Sequence, residues 1–244
     1  MNLPGEILYS ISYQALPLMF AIVLHEYAHG WVADTHGDST ARLQGRLTLN
    51  PLAHIDPFGT VILPLLCLFL MNGFLIGWAK PVPINPTQLR NPRRDMALVA
   101  AAGPVMNLLL AIGSALLLLA LFSLDPSLAD SWAPRPGGQP RRDSLGMLLL
   151  PIAAMALYSV RINVVLMVFN LIPIPPLDGG RLLVSAVPRN WSASLARVEP
   201  YGMLIVVGLI AFDPQIHVLQ TIVGGFTDFL ARTLLAPVFA TSNA

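Results

Sequence analysis

The 244-residue chain is 55% hydrophobic and only 11% charged, whereas an ordinary soluble domain is about 25% charged. A water-soluble fold would need charged surface around its core, and long stretches here offer none, so the composition calls for a bilayer as solvent. A formal net charge of +1 without a clustered basic face argues against a nucleic-acid partner, and the one cysteine, Cys67, excludes a disulfide framework or a cysteine-based zinc site within one chain.

Residues 7–34 form the first predicted span, an apolar run leading directly into His25-Glu26-Tyr27-Ala28-His29. No Lys or Arg precedes that run, so it is expected to stay in the mature protein rather than be cleaved as a signal peptide. Residues 36–57 are polar, punctuated by Gly and Pro, and read as a loop; an apolar stretch over 58–78 follows, interrupted by Pro64 and Asn72-Gly73. Between 80 and 94, Pro81, Pro83, Pro86 and Pro92 exclude a regular helix and leave an extended or edge-strand segment.

A long, nearly uncharged helix is predicted over 96–124, then a loop to about 144, then a further span over 145–172 that Pro173-Ile174-Pro175-Pro176 terminates. That stop delivers Asp178-Gly179-Gly180. A fifth apolar stretch covers 198–212, and the apolar tail over 216–239, which carries Asp228 and Arg232, either spans or lies at the interface. The expected fold is an all-α polytopic membrane protein of about five to six transmembrane helices, a single domain over residues 1–244 with no repeat and no appended peptide-binding module.

His25 and His29 stand four residues apart, which puts both imidazoles on one helical face, and Glu26 beside them can reach a metal-bound water. This is the HExxH pattern of zinc peptidases. Two histidines and a glutamate inside an apolar helix are costly in hydrocarbon, and such residues mark functional sites. Catalytic zinc takes three protein ligands and keeps a fourth position open, so a third donor is needed. Asp34, Asp38 and Asp56 lie in nearby loops; Asp178 is favoured because it follows a helix stop and precedes two glycines that permit close backbone packing.

The HExxH motif together with Asn170-Leu171-Ile172-Pro173-Ile174-Pro175-Pro176-Leu177-Asp178-Gly179-Gly180-Arg181 resembles the site-2 protease family of intramembrane zinc metalloproteases, in its compact form without a PDZ or CBS domain. Ala102-Gly103-Pro104-Val105-Met106-Asn107 is similar to that family's glycine-proline helix start, so the resemblance covers roughly residues 10–185. It implies a three-helix catalytic core, one Zn2+ per chain held by His25, His29 and Asp178, Glu26 as general base, and Asn170 near the reacting carbonyl. It further implies a substrate that is a transmembrane protein or peptide, cut within or near its membrane segment.

The apolar stretch over 58–78 departs from the family's minimal core, which joins its first two helices directly. A full crossing there would make those helices parallel and destroy the site, so a re-entrant hairpin folding near Asn72-Gly73 is predicted. With the N-terminus outside, that hairpin leaves Arg42, Arg46, Lys80, Arg90, Arg93, Arg94, Arg181, Arg189 and Arg197 inside, in keeping with the positive-inside tendency. Arg161 lies within a predicted span and is expected to face the bundle interior.

A substrate helix protects its carbonyls in backbone hydrogen bonds, so cleavage requires local unwinding, and an extended edge would hold the opened chain. Residues 79–86, with Val82 and Ile84 offering amides between prolines, fit such an edge or an ordinary surface loop. His54 is expected to stabilise its loop rather than line the site, and Asn107 to bond between helices. The rival from another class is a membrane transporter or metal-binding protein that uses the three ligands structurally; Glu26 argues against it, since a structural zinc site needs no base and closes with four ligands.

Overall fold

The computed structural model describes residues 3–62, 78–131 and 144–241. Eight α-helices organise them: α1 (Leu3–Thr35), the single turn α2 (Thr40–Leu43), α3 (Pro92–Leu124), α4 (Ser144–Asn170), α5 (Asp178–Ala186), α6 (Arg189–Ala196), α7 (Glu199–Ile216) and α8 (Gly225–Thr241). Among the described residues there is no strand, and the all-α membrane fold stands. Residues 78–85 are extended and unpaired as a ladder, and the predicted hairpin falls mostly on residues 63–77, which lie outside the described residues.

Helix ends follow from local chemistry. α3 starts at Pro92, whose missing amide costs nothing at the first helical position, and the Asp95 carboxylate reaches back 2.7 Å to the Asn91 amide. α4 ends at Asn170, ahead of Pro173, because a proline can neither donate to the helix nor tolerate a helical residue before it. One expectation is corrected here. Gly103-Pro104 does not start a helix but lies well inside α3; the polar Pro-Arg-Arg-Asp turn over residues 92–95 had looked like loop.

Among the described residues three helices are long and apolar enough to cross a membrane: Pro92–Leu124, Leu145–Asn170 and Gln220–Ala240, with mean hydropathies of 2.5, 2.0 and 1.4. The last of them is the tail whose role the sequence left open. Pro200–Asp213 is a shorter apolar helix, and α1 has the length of α3, about 50 Å at 1.5 Å per residue.

The chain divides into two compact units. The first comprises Met1–Ala21, Asn107–Ile172 and Pro200–Ala244. Its core packs Leu118 and Phe122 of α3, and Leu128 of the turn that follows α3, with Ala153 and Val160 of α4 and Val238 of α8. Polar links cross between its helices: buried Asn107 donates to Asn163 (2.8 Å) and to the Ala21 carbonyl (3.3 Å), and Ser114 to Ser159 (2.8 Å). Such bonds average roughly 0.6 kcal/mol between membrane helices. The expected interhelical role of Asn107 is therefore met.

The second unit comprises Ile22–Met106 and Pro173–Glu199. Ala33 of α1, Leu89 just ahead of α3 and Val99 of α3 form its small buried core. Around it the polar segments are held by side-chain bonds to backbone, and this unit carries the candidate site.

Candidate metal centre

The last third of α1 presents His25 and His29 on one face, one turn apart. Both are buried, as is Asp178 at the first position of α5. The three side chains converge: His25 Nε2 lies 3.0 Å from His29 Nε2, and Asp178 Oδ2 lies 3.2 Å and 3.3 Å from those two nitrogens. Among the described residues this is the one group of three His, Cys, Asp or Glu side chains able to share an ion.

The spacing fits a tetrahedral metal. Ligand bonds of 2.0–2.1 Å at the tetrahedral angle put ligand atoms about 3.3 Å apart. Asp178 Oδ2 is buried without a hydrogen-bond partner although it stands within 3.3 Å of both imidazoles, and a buried polar atom left this way calls for a ligand such as an ion. Two imidazoles and one carboxylate leave a fourth position free, the donor set and count of a hydrolytic zinc site. Burial pushes the Asp178 carboxyl up, but the two imidazoles beside it outweigh that and hold it well below the usual carboxylate range. It is a carboxylate ready to bind a cation.

Surrounding backbone fixes these ligands. His29 Nδ1 donates to the Val99 carbonyl of α3 at 2.6 Å, which sets the tautomer that leaves Nε2 with its lone pair. Gly103, one turn further along α3, backs directly onto the rings: a Cβ there would overlap His29 Nε2 and the His25 imidazole. Gly180 plays the same part behind Asp178, since a Cβ would collide with the backbone of Ile174 and Pro175. The close packing expected of the Gly179-Gly180 pair is thus real at Gly180.

The other candidate carboxylates are employed elsewhere. Asp34 pairs with Arg42 at 3.1 Å. Asp38, fully buried, accepts from the amides of Thr40 and Asn85, and Asp56 caps the turn at Phe58 and Gly59. His54 is buried with Nε2 on the Thr48 carbonyl at 2.9 Å, a loop-stabilising bond. Asn170 ends α4 and donates its amide to the Leu166 carbonyl at 2.9 Å.

Glu26 is half-buried and its Oε2 accepts from the Val82 amide at 2.9 Å. The Val82 amide is therefore not free in this state, contrary to the sequence expectation. The extended segment is clamped from the other side by Arg46, whose guanidinium donates to the carbonyls of Lys80 (2.8 Å) and Pro81 (3.2 Å). Gly30 lets it lie close to α1, since a Cβ there would press on Val82 Cγ1 at 3.0 Å. Sequence reasoning had used Arg46 only as a topological charge; no pattern pointed to its carbonyl partners, and the Val99 carbonyl was equally invisible.

A family model described as peptidase family M50 matches residues 13–212. The chain belongs to peptidase family M50, the site-2 proteases. Its class is that of this family, a zinc metalloprotease embedded in membrane. YwhC of Bacillus subtilis (strain 168), whose name assigns it provisionally to the zinc metalloproteases, is 35% identical over 230 residues, covering 92% of this chain and 91% of that protein. Rip2 of Mycolicibacterium smegmatis, named in the same way, is 31% identical over 194 residues, covering 79% of this chain and 64% of the relative. Rip2 of Mycobacterium tuberculosis (strain ATCC 25618 / H37Rv) is 29% identical over 215 residues, 85% of this chain and 72% of the relative. No solved structure matches the chain.

Proposed function

We propose that the chain, acting as one metalloprotease domain, binds a single zinc ion through His25, His29 and Asp178 and hydrolyses a peptide bond within or near a transmembrane segment of a membrane protein, with Glu26 as general base. The convergence of three buried ligand atoms at 3.0–3.3 Å carries this reading. Membership of the family supports a membrane-protein substrate and an integral-membrane setting, which this reading takes to be the cell membrane. Zinc, when bound, supplies Lewis acidity for the scissile carbonyl and for an attacking water.

The protein's own residues do the rest. Glu26 takes one proton from the water as its oxygen bonds to the scissile carbon, and returns that proton to the amine nitrogen as the C–N bond breaks. The base survives unchanged and two termini result. His29 keeps its productive tautomer through the Val99 carbonyl. Asn170 has a second N–H beyond the one given to Leu166, and in this reading that donor meets the developing oxyanion. The opened substrate strand lies along residues 79–86, whose backbone Arg46 and Glu26 hold extended.

The test is cleavage of a model transmembrane substrate by purified protein in liposomes. Wild type is expected to cut, to stop when a chelator removes the metal, and to recover when zinc returns. Glu26→Gln is expected to lose about 10²–10⁴-fold in rate, the usual weight of a general base, with zinc retained. Cleavage by Glu26→Gln at the wild-type rate would remove Glu26 from the mechanism.

A further inference from the structure

The strongest unexplained feature lies in the first unit. Arg161 sits inside the apolar span Leu145–Asn170, about 24 Å along the axis from one end and about 13 Å from the other at 1.5 Å per residue. The sequence led us to expect a guanidinium turned into the bundle; instead it is exposed. Among the described residues it makes no ion pair and no hydrogen bond. Among the described acidic groups of its own unit, Asp125 accepts from Ser127, Asp213 holds the amides of Leu219 and Gln220, and Asp228 on α8 forms no ion pair with it.

Arg161 opens on a cavity of about 600 Å³ between α1, α4 and α8, whose wall includes Tyr13, Gln14, Leu157, Tyr158 and Phe239. The polar part of the wall is organised. Gln14 donates to the Tyr13 hydroxyl at 3.2 Å, and the rings of Tyr13 and Tyr158 meet edge to face at 6.3 Å. A guanidinium with five donors beside two phenols and an amide is a receptor for one carboxylate; the remaining surface is apolar.

We infer that this notch docks the transmembrane helix of a partner protein that carries an aspartate or glutamate at mid-depth. An unpaired arginine at that depth is expensive, and such residues pair with an opposite charge or mark a functional path. Lipid phosphates lie at the interface, beyond the nearer end of the span about 13 Å along α4, a stretch that a snorkelling arginine side chain covers only in part. A carboxylate on a neighbouring helix arrives at the right depth, and the pair lets both groups stay charged in hydrocarbon. Tyr13 and Tyr158 complete the carboxylate's hydrogen bonds, and the apolar wall packs the partner's helix. The notch shares no residue with the metal centre, so it adds a place where membrane helices are gathered to the enzyme.

The experiment uses the full chain in liposomes with synthetic single-span Leu/Ala peptides bearing Glu, Gln or Lys at the midpoint, and reads association by fluorescence energy transfer. Wild type is expected to bind the Glu peptide at least tenfold more tightly than the Gln peptide. Arg161→Gln should erase that preference, and Arg161→Glu should transfer it to the Lys peptide, a gain that a misfolded variant cannot produce. Equal binding of Glu and Gln peptides by wild type, or a preference that survives Arg161→Gln, overturns the proposal. So does a preference abolished by adding anionic phospholipid, which would make the notch a headgroup site.

Discussion

Gly103 shows how closely the metal centre depends on single atoms. A methyl group there overlaps both imidazoles, and overpacking of this kind costs typically about 1–3 kcal/mol, enough to displace a ring from its ligand position. Gly103→Ala is expected to lower zinc affinity at least tenfold while leaving helicity unchanged, read by competition with a zinc-binding dye and circular dichroism. Val82→Pro removes the amide that holds Glu26; we expect an about tenfold lower turnover with unchanged zinc content. Asn170→Ala, by the weight of one oxyanion donor, should lower kcat about 10²-fold, also with zinc in place. At this scale the sequence was most informative where chemistry has a fixed spacing. His25, Glu26 and His29 are legible because a helix turn puts residues four apart on one face, and Asp178 because prolines and glycines surround it. The Val99 carbonyl and the Arg46 clamp were not legible, since any residue has a carbonyl and only the fold says which one faces the ring.

The extended segment over residues 78–85 is the element whose sequence reading changed most. Its prolines excluded a regular helix but left an edge strand open, which the described residues do not form, and they said nothing of where the remaining amides go. Val82 donates to Glu26, and Lys80 and Pro81 accept from Arg46, so the segment is tied to the site rather than left open. Arg46→Ala is expected to raise KM for a transmembrane substrate several-fold while zinc content stays unchanged, because the clamp shapes the strand and not the ligands. An unchanged KM would separate Arg46 from substrate handling. The long helices were legible from apolar runs, whereas the short α2, α5 and α6 were not, since none carries such a run. The exception was the start of α3, where Pro92 is a first-turn proline rather than a breaker, and Gly103-Pro104 falls mid-helix because its use is contact with imidazoles rather than a turn.

For the molecule as a whole, composition alone placed the chain in a bilayer, and among the described residues three helices qualify as spans by length and hydropathy. Orientation rests on loop charge. With Cys67 replaced by serine, cysteines introduced at Ser39 and Gln88 are expected to react with an impermeant reagent from the same, cytoplasmic side; labelling from opposite sides would mean that residues 58–78 cross the membrane once. Everything functional, however, turns on whether His25, His29 and Asp178 hold the metal. The decisive measurement is metal content by inductively coupled plasma mass spectrometry on purified wild type, Glu26→Gln and Asp178→Ala. We predict about one zinc per chain in the first two, since three ligands serve one tetrahedral ion, and its loss in the third. Zinc retained at the wild-type level in Asp178→Ala would contradict the assignment of this centre.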